Sequence, residues 1–220
     1  MTDLRKDLPP LPERMRGLPV DHRGFPVPWF VWINDEGVPD FRVIRPGGIA
    51  LAIKKRCCWI CGHPLGKFLT FMIGPMCVIN RVTSEPPSHS ECAEFAARAC
   101  PFMLRPKMRR NEHELPEKYV KPAGIHLDRN PGAVCEWITK SFKPFRVSRP
   151  GAHDGILLDI GEPETVLWWA EGREATRAEV QASIDGGFPD LMALAERDGP
   201  DAVSALKRKV EEAQGYLPRA

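Results

Sequence analysis

The sequence predicts an α+β protein, and three observations carry that prediction. Short runs rich in β-branched and aromatic residues recur at 27–33, 41–44, 68–79, 134–138, 145–147, 156–160 and 166–169. Helical periodicity is gathered instead in one short central segment and at the C-terminal end. The chain also holds 23 prolines in 220 residues, about twice the usual ~5% share, which favours short elements joined by turns.

Taken in order, residues 1–24 are rich in proline and charge (Pro9, Pro10, Pro12, Pro19) and are expected to form a loosely ordered arm. Val27–Ile33 and Phe41–Ile44 flank Asn34-Asp35-Glu36-Gly37 as a β hairpin, with Pro28 pushing the first strand to a sheet edge. Residues 25–110 are expected to join this hairpin to a metal module. Within it, Phe68–Ile73 and Met76–Ile79 are expected as two strands around Gly74-Pro75. Ser88-His89-Ser90-Glu91 has the capping-box pattern, with Ser88 as the cap of a helix that Pro101 stops. Residues 111–131 are expected as a linker or surface crossing.

Residues 132–220 then supply four strand candidates and helices, expected to pack with 25–110 as one unit. Trp168-Trp169 on a strand places one indole on each face of the sheet. Thr176-Arg177-Ala178-Glu179 is a second capping box, opening a helix expected to end at Gly186-Gly187. Helices over 189–198 and 200–215 complete the C-terminal cap.

Composition narrows the class. Hydrophobic residues are 43% and charged residues 27%, so a core can form. No apolar run approaches ~18 residues, the length a membrane-spanning helix requires. The N-terminus carries acids and no apolar stretch of the secretory kind, and seven cysteines are an odd number. Reduced thiols in the cytoplasm are therefore expected, not a disulfide framework. Cys100 and Cys135 are expected as small buried hydrophobes. Net charge is +2, but residues 41–111 carry 12 Lys/Arg against 3 acids, and 151–220 carry 7 against 14. A polyanion-facing half, or two halves that attract, would give that asymmetry.

The chemistry is concentrated in two pairs, Cys58-Trp59-Ile60-Cys61-Gly62 and His89-Ser90-Glu91-Cys92. A Gly-ended turn and the first turn of a helix bring soft donors together in pairs, which suits a four-ligand structural zinc ion. Cys58, Cys61, His89 and Cys92 are the expected Zn2+ ligands, with Cys77 as the alternative. An iron–sulfur cluster on Cys58, Cys61, Cys77 and Cys92 is the chemical competitor, and cysteines that merely fill the core are the plain one. A turn bearing two ligands, a hairpin, and a helix with two more at its N-terminus resemble a treble-clef zinc finger, over roughly residues 55–101. The resemblance implies a structural metal. The overall make-up also resembles that of phage and prophage accessory proteins.

Basic residues surround this module: Lys54, Lys55, Arg56, Lys67, Arg81, Arg105, Lys107, Arg109 and Arg110, with Trp59 and Phe68 among them. Cations bind phosphates and aromatics stack on bases, so nucleic acid or an acidic protein partner is expected on this face. The plainer alternative is that the cations solvate the surface while Trp59 and Phe68 pack inside. Enzymatic signatures are sparse. Deaminase, His-Glu-x-x-His, phosphate-loop and Gly-x-Ser-x-Gly patterns do not occur. The enzymatic alternative is a metal-dependent nuclease built on the zinc module: some treble-clef-like nucleases place a His and an Asn beside the metal, roles open here to His63, Asn80 and His89. Asp154, Asp159, Glu162 and Glu164 could gather around a divalent ion, but such clusters are usually solvated surface. A third possibility is a subunit-interaction protein whose acidic helical end meets a partner.

Overall fold

Among the described residues, strand pairing gives three small antiparallel sheets. The computed structural model describes residues 3–106, 108–116, 119, 122–124, 129–148 and 155–219. Strands β1 (Val31–Ile33) and β2 (Pro39–Ile44) form the expected hairpin, closed by Asn34, whose side chain accepts from the amides of Glu36 and Val38. Helix α1 (Gly48–Lys55) follows, and β3 (Leu69–Ile73) leads into α2 (Pro75–Asn80) and β4 (Val82–Thr83). Helices α3 (Ser90–Ala99) and α4 (Pro101–Leu104) precede β5 (Val134–Thr139), β6 (Phe142–Val147), β7 (Gly155–Ile160), β8 (Pro163–Ala170) and β9 (Arg173–Glu174). Helices α5 (Arg177–Asp198) and α6 (Pro200–Ala213) end the chain.

The largest sheet runs β3-β5-β8-β9, and a second runs β4-β7-β6. Leu69, Phe71, Trp137, Leu158, Ile160 and Val180 are almost fully buried between these sheets and the C-terminal helices. At ~1.5–3 kcal/mol for each large apolar side chain removed from water, this core is the main source of stability. Register Cys135↔Trp168 and Val134↔Trp169 fixes the tryptophan pair. Trp168 is buried, whereas Trp169 is part-exposed and donates its Nε1–H to Glu136 at 2.9 Å. Cys135 is wholly buried and Cys100 half-buried, both in apolar surroundings that push their thiols up.

Three local expectations are corrected and one element is new. Met76–Ile79 is not a strand: Pro75, at the first helical position, opens α2, because its fixed φ suits that place and its missing N–H costs nothing there. Residues 48–55 form a helix that the sequence did not announce. Ser88 does not cap α3. Its backbone pairs with Thr70 on the edge of β3, and His89 occupies the N-cap position without a side-chain cap bond. Finally, α5 does not stop at Gly186-Gly187 but continues through Pro189 to Asp198. A Cβ on Gly187 would sit 3.1 Å from Met76 Cγ, so this glycine allows α5 to pass closely over α2.

The second capping box is present as expected. Thr176 accepts from the Glu179 amide, and Glu179 accepts from the Thr176 amide at 2.8 Å. No helix among the described residues is long and apolar enough to cross a membrane.

Candidate metal centre

The first ligand pair is held by a tight turn that grows out of α1. Arg56 ends that helix in the left-handed region (φ 47°), and Cys57 then bridges to Pro64. Across the turn, Cys58 N–H donates to His63 O at 2.8 Å, and Leu65 N–H to Arg56 O at 2.9 Å. Gly62 closes it at φ +76°, a conformation that side chains rarely adopt. Trp59 points away from the ligands and stacks on Phe30, with ring centroids 4.8 Å apart and planes 9° apart. The hairpin region is thereby fastened to the turn, helped by a 2.7 Å bond from Trp29 N–H to Ile60 O.

The second pair opens α3. His89 is the N-cap and Cys92 lies in the first turn, so both project towards Cys58 and Cys61. Two hydrogen bonds place this helix start: Trp59 N–H to Pro87 O at 3.0 Å ties it to the turn, and Ser88 N–H to Thr70 O at 2.8 Å ties it to β3. The carbonyl of Pro87, just before α3, thus anchors the Cys58–Gly62 turn, the zinc knuckle of the expected module.

The result is a buried Cys3His cluster. One ligand atom from each of Cys58, Cys61, His89 and Cys92 lies within 4.8 Å of every other, and all four residues are buried. His89 Nδ1 is 3.4 Å from Cys61 Sγ and 3.9 Å from Cys92 Sγ. Its Nε2 is 3.0 Å from Pro64 O. A carbonyl oxygen only accepts, so Nε2 carries the proton and the Nδ1 lone pair faces the thiols. This is the outer-shell arrangement that orients a metal-binding imidazole.

Electrostatics agree with a cation-seeking centre. Cys58 is held far below the ordinary thiol range. Its sulfur accepts from the Cys61 and Cys92 thiols, and also from the backbone N–H groups of Cys61 at 3.4 Å and His89 at 3.5 Å. Cys61 is pushed up to about 11, first because it donates to Cys58, and Cys92 is raised for the same reason. Three thiolates in one buried space repel one another, and a divalent cation among them removes that repulsion.

Cys77, the alternative ligand, is on α2 beside the main core and outside the cluster, where burial raises its thiol to about 11. A four-cysteine cluster of Cys58, Cys61, Cys77 and Cys92 therefore does not assemble, and His89 is the fourth member.

A cover that the sequence reading missed lies over the centre. Met15, in a short 3-10 turn (Glu13–Met15), is 1% exposed and packs with Cys58, Ile60, Cys61, Cys92 and Phe95. Leu8, Leu11 and Leu18 pack around it. Arg14 pairs with Glu91, the neighbour of Cys92, at 2.9 Å. The available signal was the apolar spacing Leu8, Leu11, Met15, Leu18, which steps by 3, 4 and 3 through the prolines.

The basic residues disperse. Lys54, Lys55, Arg56 and Lys67 are exposed around the turn. Arg81 is occupied internally: it pairs with Glu162, donates to Tyr216 Oη at 3.1 Å, and its guanidinium carbon sits 4.9 Å from the Trp137 ring centroid. Arg110 donates to the carbonyl of Arg42. Arg105 and Arg109 are exposed, with the Arg105 carbonyl held by Asn130 and Arg109 bridged to Arg129. Lys107 lies outside the described residues. His63 lines an open groove with Glu13, Arg14, Gly17 and Glu91, while Asn80 is on α2 with its carbonyl bound by Lys209. Of the acidic group, Asp154 lies outside the described residues, and Glu162 and Glu164 are paired with Arg81 and Lys140.

No protein-family model matches this sequence, and comparison with curated proteins and with solved structures gives no match either.

Proposed function

We propose that this is an intracellular zinc-binding protein whose metal is structural and whose basic face around the knuckle binds a polyanion, either nucleic acid or an acidic protein surface. The observation that carries the first half is the His89 geometry, with Nδ1 turned to three cysteine sulfurs and Nε2 tied to Pro64. Tetrahedral zinc, with arms of ~2.3 Å to sulfur and ~2.0 Å to nitrogen, has ligand–ligand edges of roughly 3.5–3.8 Å. The nitrogen–sulfur separations of 3.4 and 3.9 Å bracket that range. Three thiolates and one imidazole are a familiar closed zinc set, which leaves no place for a reacting water. The ion would supply folding energy and hold the turn and α3 together. The order of knuckle and ligand-bearing helix supports a treble-clef-like module, although β3 and α2 stand where a hairpin was expected.

The second half rests on charge. Residues 41–84 hold no acid, and Lys54, Lys55, Arg56 and Lys67 project into solvent beside the centre. Cations presented on one face bind polyanions with strong salt dependence. A binding titration of the zinc-loaded protein against nucleic acid and polyglutamate across a salt series tests it. Affinity that falls with salt and falls again on Lys54→Ala/Lys55→Ala/Arg56→Ala supports the assignment. Indifference to both polymers would refute it.

A further inference from the structure

The two aromatic residues expected among the cations have opposite fates. Trp59 is 4% exposed and packed between the knuckle and the hairpin region, whereas Phe68 is 50% exposed, at the point where the chain leaves the knuckle for β3. Single exposed hydrophobic residues are ordinary. What distinguishes Phe68 is its cations: Lys67 Nζ stands over the ring at 5.9 Å from its centroid and Lys140 Nζ at 5.7 Å, so a stacked base would take the place of one of these solvated ammonium groups. Lys140 arrives from the β5–β6 turn, because Leu69 pairs with Thr139 in the sheet. Two ammonium groups from distant parts of the chain thus converge on one solvent-facing phenyl ring.

The same strip continues to the knuckle. Arg56 O accepts from Leu65 N–H, three residues before Phe68, so the end of α1 with its exposed Lys54, Lys55 and Arg56 is hydrogen-bonded to the segment that carries the ring. The strip is also tied to the metal centre, because Pro64 at its start receives the His89 Nε2–H. One acid, Glu164, pairs with Lys140 at 2.7 Å. A phosphate would have to compete with it, and both partners are partly solvated.

Resting on the polyanion reading above, we propose that Phe68 is a stacking platform for a base of single-stranded nucleic acid. Lys67, Lys140 and the Lys54–Arg56 run bind the flanking phosphates. Only an unpaired base offers its face to a phenyl ring, since a duplex covers those faces by stacking. Cations beside an exposed aromatic are the two components that sequence-tolerant single-strand binding uses. An acidic protein would use the lysines and have no need of the ring.

The test is fluorescence anisotropy of a short labelled oligothymidylate with zinc-loaded protein, beside a duplex of equal length and polyglutamate. Phe68→Ala is expected to weaken oligothymidylate binding roughly 5- to 150-fold, with the salt slope kept and one metal still bound per chain. Phe68→Trp should restore affinity. Lys67→Ala/Lys140→Ala should flatten the salt slope. Ile33→Ala, an exposed apolar control on the hairpin, should change nothing. Equal affinity of wild type and Phe68→Ala, or a duplex bound as tightly as the single strand, would overturn the proposal. If that binding still falls on Lys54→Ala/Lys55→Ala/Arg56→Ala, the polyanion reading survives without it. Binding of polyglutamate alone also refutes base stacking and assigns the face to a protein. No binding of any of the three would refute both.

Discussion

His89 donates its Nε2–H to the carbonyl of Pro64 at 3.0 Å, which joins the helix-borne ligand pair to the exit of the knuckle. That bond does two things at once. It selects the tautomer that leaves Nδ1 free for a metal, and it fixes the strip that carries Lys67 and Phe68. His89→Cys therefore offers a sharp prediction. Four thiolates still hold zinc, but the tie to Pro64 is gone, so metal should transfer to a competing chelator with an affinity about 10–100-fold lower than in the wild type. Chelator competition monitored by absorbance reads the change, and unchanged affinity would mean that the Pro64 bond contributes no more than the exchange of imidazole for thiolate restores.

Gly62 is the position where the knuckle tolerates least change. A Cβ there would lie 2.6 Å from Trp29 Cδ1, and φ is +76°. Gly62→Ala should cost roughly 2 kcal/mol or more, the left-handed strain plus the collision. Gly66→Ala, with nothing within 4 Å of its Cβ, should be near neutral. Denaturant melts of the two variants decide the matter, and equal midpoints would contradict the knuckle geometry.

Met15 seals the centre from the N-terminal side, at 1% exposure against Cys58, Cys61 and Cys92. Met15→Ala is expected to destabilise by roughly 2–5 kcal/mol and to speed both metal release and thiol alkylation. Alkylation kinetics followed by mass spectrometry separate this from a remote defect: Cys58, Cys61 and Cys92 should react earlier, while Cys135 in the main core stays protected.

The capping box of α5 gives a pH signature. Arg173 first, and then Thr176, hold Glu179 down to about 2, below its ordinary 4.5. A depressed carboxylate stabilises the fold above its unfolded pKa, and that stabilisation is lost as pH falls from about 4.5 towards 2. Thr176→Ala should cost about 1 kcal/mol near neutrality. The deficit should shrink in acid, because the Thr176 O–H bond to Glu179, which only the wild type makes, weakens once that carboxylate is protonated. Thermal melts at neutral and acidic pH test the sign.

The metal residues were legible because ligand chemistry imposes short fixed spacings, and Cys58-x-x-Cys61 and His89-x-x-Cys92 state theirs locally. The strands β5 to β8 and the Thr176 capping box were legible for the same reason: their signals lie within a few residues. Helix α2 was not, because its run of Met76, Cys77, Val78 and Ile79 has strand composition, and only Pro75 at the first position argued otherwise. Nor was the continuity of α5, where close packing against Met76 favours Gly187 and outweighs the local preference to stop. The roles of Pro64, Pro87 and Met15 depend on contacts across tens of residues, which no window along the chain reveals. The basic run shows the same limit: Arg81 looks like its neighbours in sequence, yet the fold commits it to Glu162, Tyr216 and Trp137.

Elemental analysis of the purified protein, without added metal, beside Cys58→Ser/Cys92→Ser, tests the central claim most directly. One zinc per chain in the wild type, absent from the double variant together with the cooperative melting of the module, is the predicted result. No metal in wild-type protein purified without chelators, or zinc retained at one per chain by the double variant, would contradict the assignment of Cys58, Cys61, His89 and Cys92 as a metal centre.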